Sequence, residues 1–484
     1  MASRLDAKRQ GHGYWRPAGV LVVLVVFLCG CHGLDDGGLT PLFSSLNPGG
    51  QGDARVSLFL RLNDSSGPPL RIGVSAIEFQ RDGEWFGLGG AAVELDAEAI
   101  GDDQIFLSRN TLLPGQYDAI RLRLEQASVR QGKENLFIAL ASPDVVWPLS
   151  SPLRLEKGDS VCLFLIWDTA RSMQGKALIA PFFTVVTQGL PLLADLAYVA
   201  CPEIDTVYTI RTDKNWITGA LGVVGCPTYL AADVERNRLF VLARKEAAVK
   251  VVELSSNRLV DTFRLPMVRD PSFMTLSADR LTAYILDGQG SHLVRMDLTS
   301  GSIVGRLHLG ERAHYLLYLP EYNRLAVSLS YSQEVILLDP VSLETVEHIS
   351  VGGEPQGLCN TDNFLYIAEN GSDTVMAYDL ASHRQASRVH VGRQPRRLFG
   401  VGNRLYVANY GSGSVSLHLA RQAGMLKDVF IQGVPLEMAA AQRSRRLYIG
   451  NEASGEIAVL DLTSGRINDH IVLKTVPQGL TVIQ

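Results

Sequence analysis

The sequence predicts an all-β chain, a β-sandwich followed by a seven-bladed β-propeller. Three observations lead there. An apolar-Tyr/Phe-Val/Ile signature recurs at Tyr198, Phe240, Tyr284, Tyr366, Tyr406 and Tyr448, with Ala326 in the remaining place, so that seven copies follow one another every 40 to 44 residues. Short alternating runs broken by turn residues fill the first half, as in Ile120, Leu122 and Leu124 set between Arg121, Arg123 and Glu125. No repeat copy contains a helix-period stretch of useful length, which removes a helical solenoid. With 46% hydrophobic and 20% charged residues the 484-residue chain has the composition of a folded protein, not of a disordered or coiled-coil one. Its net charge of -5 and the lack of a basic stripe argue against a nucleic-acid binder.

The N-terminal segment carries Arg4, Lys8, Arg9 and Arg16 against the single acid Asp6, then the apolar run Ala18 to Leu28. A run of this length makes a helix of about 16 Å, short of the roughly 30 Å hydrocarbon core, and suits the apolar part of an export signal. It ends in Leu28-Cys29-Gly30-Cys31, which resembles a bacterial lipobox. The resemblance implies cleavage behind Gly30 and a diacylglyceryl group on the Cys31 sulfur, a thioether that only a thiol can form. His32, where the enterobacterial inner-membrane retention signal has Asp, points to the outer membrane. Residues 1–30 are therefore expected to be a lipoprotein signal peptide, and their removal shifts the net charge from -5 to -8. Residues 31–53, rich in Gly, Ser, Pro and Asp, read as a flexible tether.

Residues 54–190 read as an antiparallel β-sandwich. The stretch VSAIEFQRDGEW, the turn Leu113-Pro114-Gly115-Gln116-Tyr117 with its following strand, and GDSVCLFLIWD resemble an uncharacterised family of Ig-like or transthyretin-like domains on bacterial lipoproteins. That family supplies no catalytic residues to carry over. Trp85, Tyr117 and Trp167 are expected to pack in the core or at an edge.

Residues 191–484 hold the repeats. Within one copy, LYIA and TVMAYDL flank the turn Asn370-Gly371-Ser372-Asp373, and Asp379 begins the next turn, where a short carboxylate can accept backbone N–H bonds. Asp297, Asp339 and Asp461 hold the same place; Arg211 replaces it in the first copy, and His418 is read there in the sixth. Four short strands per copy make one blade. Middle strands such as Val335-Ile336-Leu337-Leu338 are apolar on both sides, as blades stacked face to face require. The copies LYIAENGSDTVMAYDL, LYVANYGSGSVSLHL and LYIGNEASGEIAVLDL resemble the YVTN-type propeller repeat of bacterial surface and periplasmic proteins. The repeats begin at a second strand and end after an innermost one, so Pro477 to Ile483 are expected to pair beside Tyr198 and close the ring.

Chemistry is sparse. No metal-ligand, nucleophile, haem-attachment or phosphate-loop motif occurs, and no cofactor is expected. Cys201 and Cys226 lie on connections that share a face; they are either a disulfide, which would add about 3 kcal/mol, or two buried thiols. The blade-to-blade links form the usual binding face of a propeller and carry Arg312, His314, Glu354, Gln356, Arg393, Arg396, Arg397 and Glu437. The arginine excess suits carboxylate or phosphate groups. The reading that follows is a lipid-anchored envelope protein that binds a protein, peptide or glycan partner without catalysis, with the membrane as its second partner and no nucleic acid. The alternative is a lactonase- or dehydrogenase-like enzyme using Glu354, Arg396, Glu437 and His314 at the channel mouth.

Overall fold

A computed structural model describes residues 53–89, 92–175, 177–189, 195–420 and 424–483. The expected signal segment, most of the tether and Cys31 lie outside the described residues. Seven four-stranded antiparallel sheets make the propeller. Blade 1 consists, from the inside outward, of Gly479–Ile483, Leu196–Cys201, Thr206–Arg211 and Trp216–Gly222. Blades 2 to 7 then follow in chain order, beginning with the innermost strands Pro227–Asp233, Pro271–Leu276, Ala313–Leu319, Pro355–Thr361, Pro395–Val401 and Pro435–Ala441.

The ring closes as the repeat phase requires. Leu196–Cys201 pairs antiparallel with Gly479–Ile483, Leu196 opposite Ile483 and Ala200 opposite Gly479. This pairing hides two sheet edges that would otherwise present rows of unmade hydrogen bonds. The second strands are buried from their second residue onward, and Leu196–Cys201 along its whole length, because each lies between two blades.

Asp297, Asp339, Asp379 and Asp461 do what their turn position predicts. Each accepts two successive backbone N–H groups; Asp461, for example, takes those of Thr463 at 3.0 Å and Ser464 at 2.6 Å. These bonds hold all four carboxyls below the usual carboxylate range. The sixth copy corrects the sequence reading. Arg404 pairs with Leu419, so Leu419 occupies the Asp place and His418 lies one residue inside, opposite Leu405. His418 is buried there, against the Ser416 hydroxyl at 3.0 Å, and burial lowers its basicity.

The N-terminal half is a sandwich of a four-stranded and an eight-stranded sheet around one core containing Leu58, Leu60, Ile72, Phe79, Tyr117, Ile120, Leu165 and Trp167. Tyr117 donates its hydroxyl to the Leu113 carbonyl at 2.9 Å, and Trp85 lies under the Arg121 guanidinium at 4.1 Å. The pairing departs from the antiparallel sandwich that the sequence predicts: Ala54–Leu62 runs parallel to Ser160–Asp168. Nothing in the alternation of a strand distinguishes the two pairings when the partner is distant in sequence.

Ala54–Leu62 is buried on both faces around its apolar centre Leu58-Phe59-Leu60. Leu58 and Leu60 face the sandwich core, while Phe59 joins Cys162, Val199, Cys201 and Tyr208 in a cluster shared with blade 1. Sandwich and propeller thus belong to one compact unit. The outer edge of blade 1 is met by side-chain amides. Gln104 takes the Ile217 N–H at 2.9 Å and donates to its carbonyl at 3.2 Å; Gln188 does the same at Ala220, at 2.9 and 3.0 Å. Arg109 reaches past blade 1, donating to the Tyr208 hydroxyl at 3.1 Å and to the carbonyls of Leu473 and Lys474 on the approach to the closing strand.

The Cys201–Cys226 bridge is not formed. Both residues, with Cys162 and Cys359, are free thiols. Cys201 points into the shared core, where burial pushes its thiol up to about 12, whereas Cys226 sits in the link at a positive φ of 64° with its N–H on the Asp205 carboxylate at 2.7 Å.

Two outcomes test this architecture. Leu480→Ala in the buried closing strand should cost about 2–5 kcal/mol in denaturant unfolding, while Phe430→Ala on an exposed outer strand should cost little. The depressed carboxyls contribute stability above pH 4 that disappears as pH falls through their native values. Asp379→Ala should therefore lower the melting temperature at pH 7 and hardly change it at pH 2.

Candidate binding site at the channel mouth

Each innermost strand enters from a blade-to-blade link, and its first residue is Pro in every blade from 2 to 7 except blade 4, which has Ala313. The third position along these strands holds Tyr229, Phe273, Tyr315, Gly357, Arg397 and Glu437, and Gly479 stands at the start of the closing strand. These residues meet. The rings of Tyr229, Phe273 and Tyr315 form a row with centroids 4.1 Å apart. Arg397 lies 5.2 Å from the Tyr315 ring and donates from Nε to Glu437 at 3.2 Å. The two glycines are required by the crowding. A Cβ on Gly357 would stand 2.5 Å from the Arg396 carbonyl oxygen, and one on Gly479 2.5 Å from that of Thr228.

The electrostatics of this plug are self-contained. Burial pushes the Glu437 carboxyl up against the pull of Arg397, while Glu437 and the neighbouring tyrosines hold Arg397 firmly charged. Burial likewise raises Tyr229 and Tyr315 far out of reach of ionisation at neutral pH. The arrangement fills space and neutralises charge.

The other residues of the face are placed as follows. Gln356 is buried, and its carbonyl accepts the Ser328 hydroxyl at 2.8 Å. Glu354 is exposed. Arg396 is half-buried with its guanidinium 4.1 Å over the Tyr410 ring. Arg393 is exposed and donates to the Gly411 carbonyl at 3.1 Å; Arg312 and His314 are half-buried at the entry to blade 4. Glu437 thus turns to Arg397 and Arg396 to Tyr410, a grouping different from the expected set of Glu354, Arg396, Glu437 and His314. Among the described residues no three His, Cys, Asp or Glu side chains come together as metal ligands would.

The links themselves are stiff. A polar residue ending the second strand reaches back to the entry of its own blade: Glu369 accepts the Gly352 N–H at 2.6 Å while bound by Arg388 at 2.8 Å, and Asn451 accepts the Val434 N–H at 3.0 Å. The aromatic row was missed in the sequence. Its signal is the second residue after the recurrent Pro, or after Ala313 in blade 4, a register visible only once the seven copies are aligned on their innermost strands.

Neither a protein-family model nor a curated protein matches the chain. Solved structures do. A functionally unknown protein from Desulfotomaculum acetoxidans DSM 771 is 13% identical with a TM-score of 0.54, covering 60% of this chain and 99% of that one. A candidate 6-phosphogluconolactonase from Bacteroides fragilis NCTC 9343 is 14% identical with a TM-score of 0.51, covering 61% and 100%. At such identities the likeness shows the β-propeller fold alone.

The plug makes a quantitative prediction. Arg397→Met leaves a buried carboxylate without its partner and should cost about 3–5 kcal/mol; Arg397→Met combined with Glu437→Leu should recover most of that loss. Denaturant unfolding of the two single variants and the double variant measures the coupling directly.

Proposed function

We propose that the chain is a lipid-anchored protein of the bacterial envelope, held at the outer membrane through Cys31. Its propeller, of the YVTN type, presents a non-catalytic binding face to a protein, peptide or glycan. The observation that carries this reading is the plug. The aromatic row and the Arg397–Glu437 pair occupy the place where a propeller enzyme would keep its reacting groups accessible. What remains at the mouth is a stiff rim with Arg312, Arg393 and Arg396, chemistry suited to the carboxylates of an acidic partner segment or an acidic glycan. The sandwich serves as brace and spacer between anchor and propeller.

Native mass spectrometry of the protein extracted from its own membranes tests both halves. The expected mass lacks residues 1–30 and carries a diacylglyceryl group at Cys31. A partner should accompany it and dissociate in the Arg393→Glu, Arg396→Glu variant. Retention of residues 1–30 removes the anchor. A bound metal or small organic cofactor in place of a partner moves the assignment to a channel-mouth enzyme.

A further inference from the structure

A second site lies far from the channel mouth, where the sandwich meets blade 1. A cleft of about 310 Å³ opens there between the sandwich strands Ala54–Leu62 and Ser160–Asp168, the outer strands of blade 1 and the Asn257 turn of blade 2. Phe164, Ile166, Val186, Leu196 and Ile217 supply apolar walls. The volume is at the small end of the range for ligand pockets.

Its polar groups are incompletely satisfied in a specific way. Two arginines line the cleft. Arg211 is neutralised by a bidentate pair with Asp213, at 2.7 and 2.8 Å. Arg61 stands on the same face of its strand as Ser57 and Phe59, partly withdrawn from water, with its guanidinium 4.9 Å from the Trp216 ring. Among the described residues its one hydrogen bond is a long 3.4 Å contact to the Leu62 carbonyl, and no carboxylate pairs with it. Thr209, only 2% exposed, has a buried hydroxyl with no hydrogen-bond partner, and the Asn257 side-chain oxygen is likewise buried and unsatisfied. A folded protein rarely leaves such groups unmet without a reason, since burial strips them of water and nothing replaces it. One uncompensated cation, a hydroxyl able to donate and an apolar lining describe a single ligand chemistry, that of an anion with an apolar body.

We infer that this cleft binds a small amphipathic monocarboxylate, its acid group on Arg61 and its apolar body against Phe164, Ile166 and Val186. The site is independent of the channel-mouth face. Binding there would also couple the sandwich to the propeller, since the cleft walls come from both.

Calorimetric titration of the full chain with 4-phenylbutyrate and its neutral isostere 4-phenylbutanamide tests the inference. The acid should bind at one site per chain, and the amide at least tenfold more weakly. Arg61→Met should abolish that preference, and Val186→Trp, on a partly exposed wall, should block both ligands while the protein still melts cooperatively. Thr209→Val should weaken the acid while raising the melting temperature of the ligand-free protein, a combination that a purely structural threonine would not give. Absence of saturable binding by the acid overturns the inference. So does equal binding of acid and amide, or an Arg61→Met protein that binds as the wild type does.

Discussion

The ladder between Leu196–Cys201 and Gly479–Ile483 is the constraint on which the molecule depends. A seven-bladed ring without it has two open edges and a blade lacking its innermost strand. The sandwich is attached at this same blade. Ser57 bonds Tyr208 at 2.8 Å, Ser160 bonds Thr206 at 2.7 Å, and Arg109 touches both blade 1 and the chain leading into the closing strand. The two Gln side chains on the outer strand of blade 1 satisfy backbone groups that a free blade would leave to water. Closure and docking are thus one arrangement, and the blade that needs the most support receives it from both its inner and outer edges.

The propeller was legible because repetition multiplies a weak signal. One LYV-type strand means little, but seven at a fixed spacing determine blade number, strand order and the phase at which the ring must close. The Asp turns were legible because a side chain bonding to its own next residues needs no tertiary information. The misplacement of His418 shows the limit of reading by residue type, since one position of slip exchanges a turn for the sheet interior. The parallel pairing in the sandwich, the free thiols and the use of both faces of Ala54–Leu62 depend on which distant element packs alongside. A short apolar run such as Leu58-Phe59-Leu60 records burial on two sides without naming the neighbour.

The channel-mouth face was legible as a list of link residues but not as a set of relationships. Arg397 and Glu437 stand 40 residues apart and look alike to their neighbours Arg396 and Glu354 in sequence, yet the first two are spent on each other. The distinction arises from the alternation along an innermost strand. One position turns into the crowded axis, where a charge must find its opposite, and the adjacent one turns to the rim, where water screens it. Arg61 gives no signal of its own either, because Ile166 and Trp216 beside it come from strands more than 100 residues away.

Leu196 and Ile483 are 287 residues apart in the chain, the longest-range strand pairing among the described residues. The order of synthesis follows. The sandwich strands are complete by Thr187, whereas the strand that locks the ring is made only after all other blades exist. Throughout that interval the growing chain carries a second strand of blade 1 with its inner edge open. The sandwich, synthesised first, offers Gln104 and Gln188 to the outer edge, so it is placed to act as a scaffold in time as well as in space, keeping one side of the eventual seam in register until its counterpart arrives.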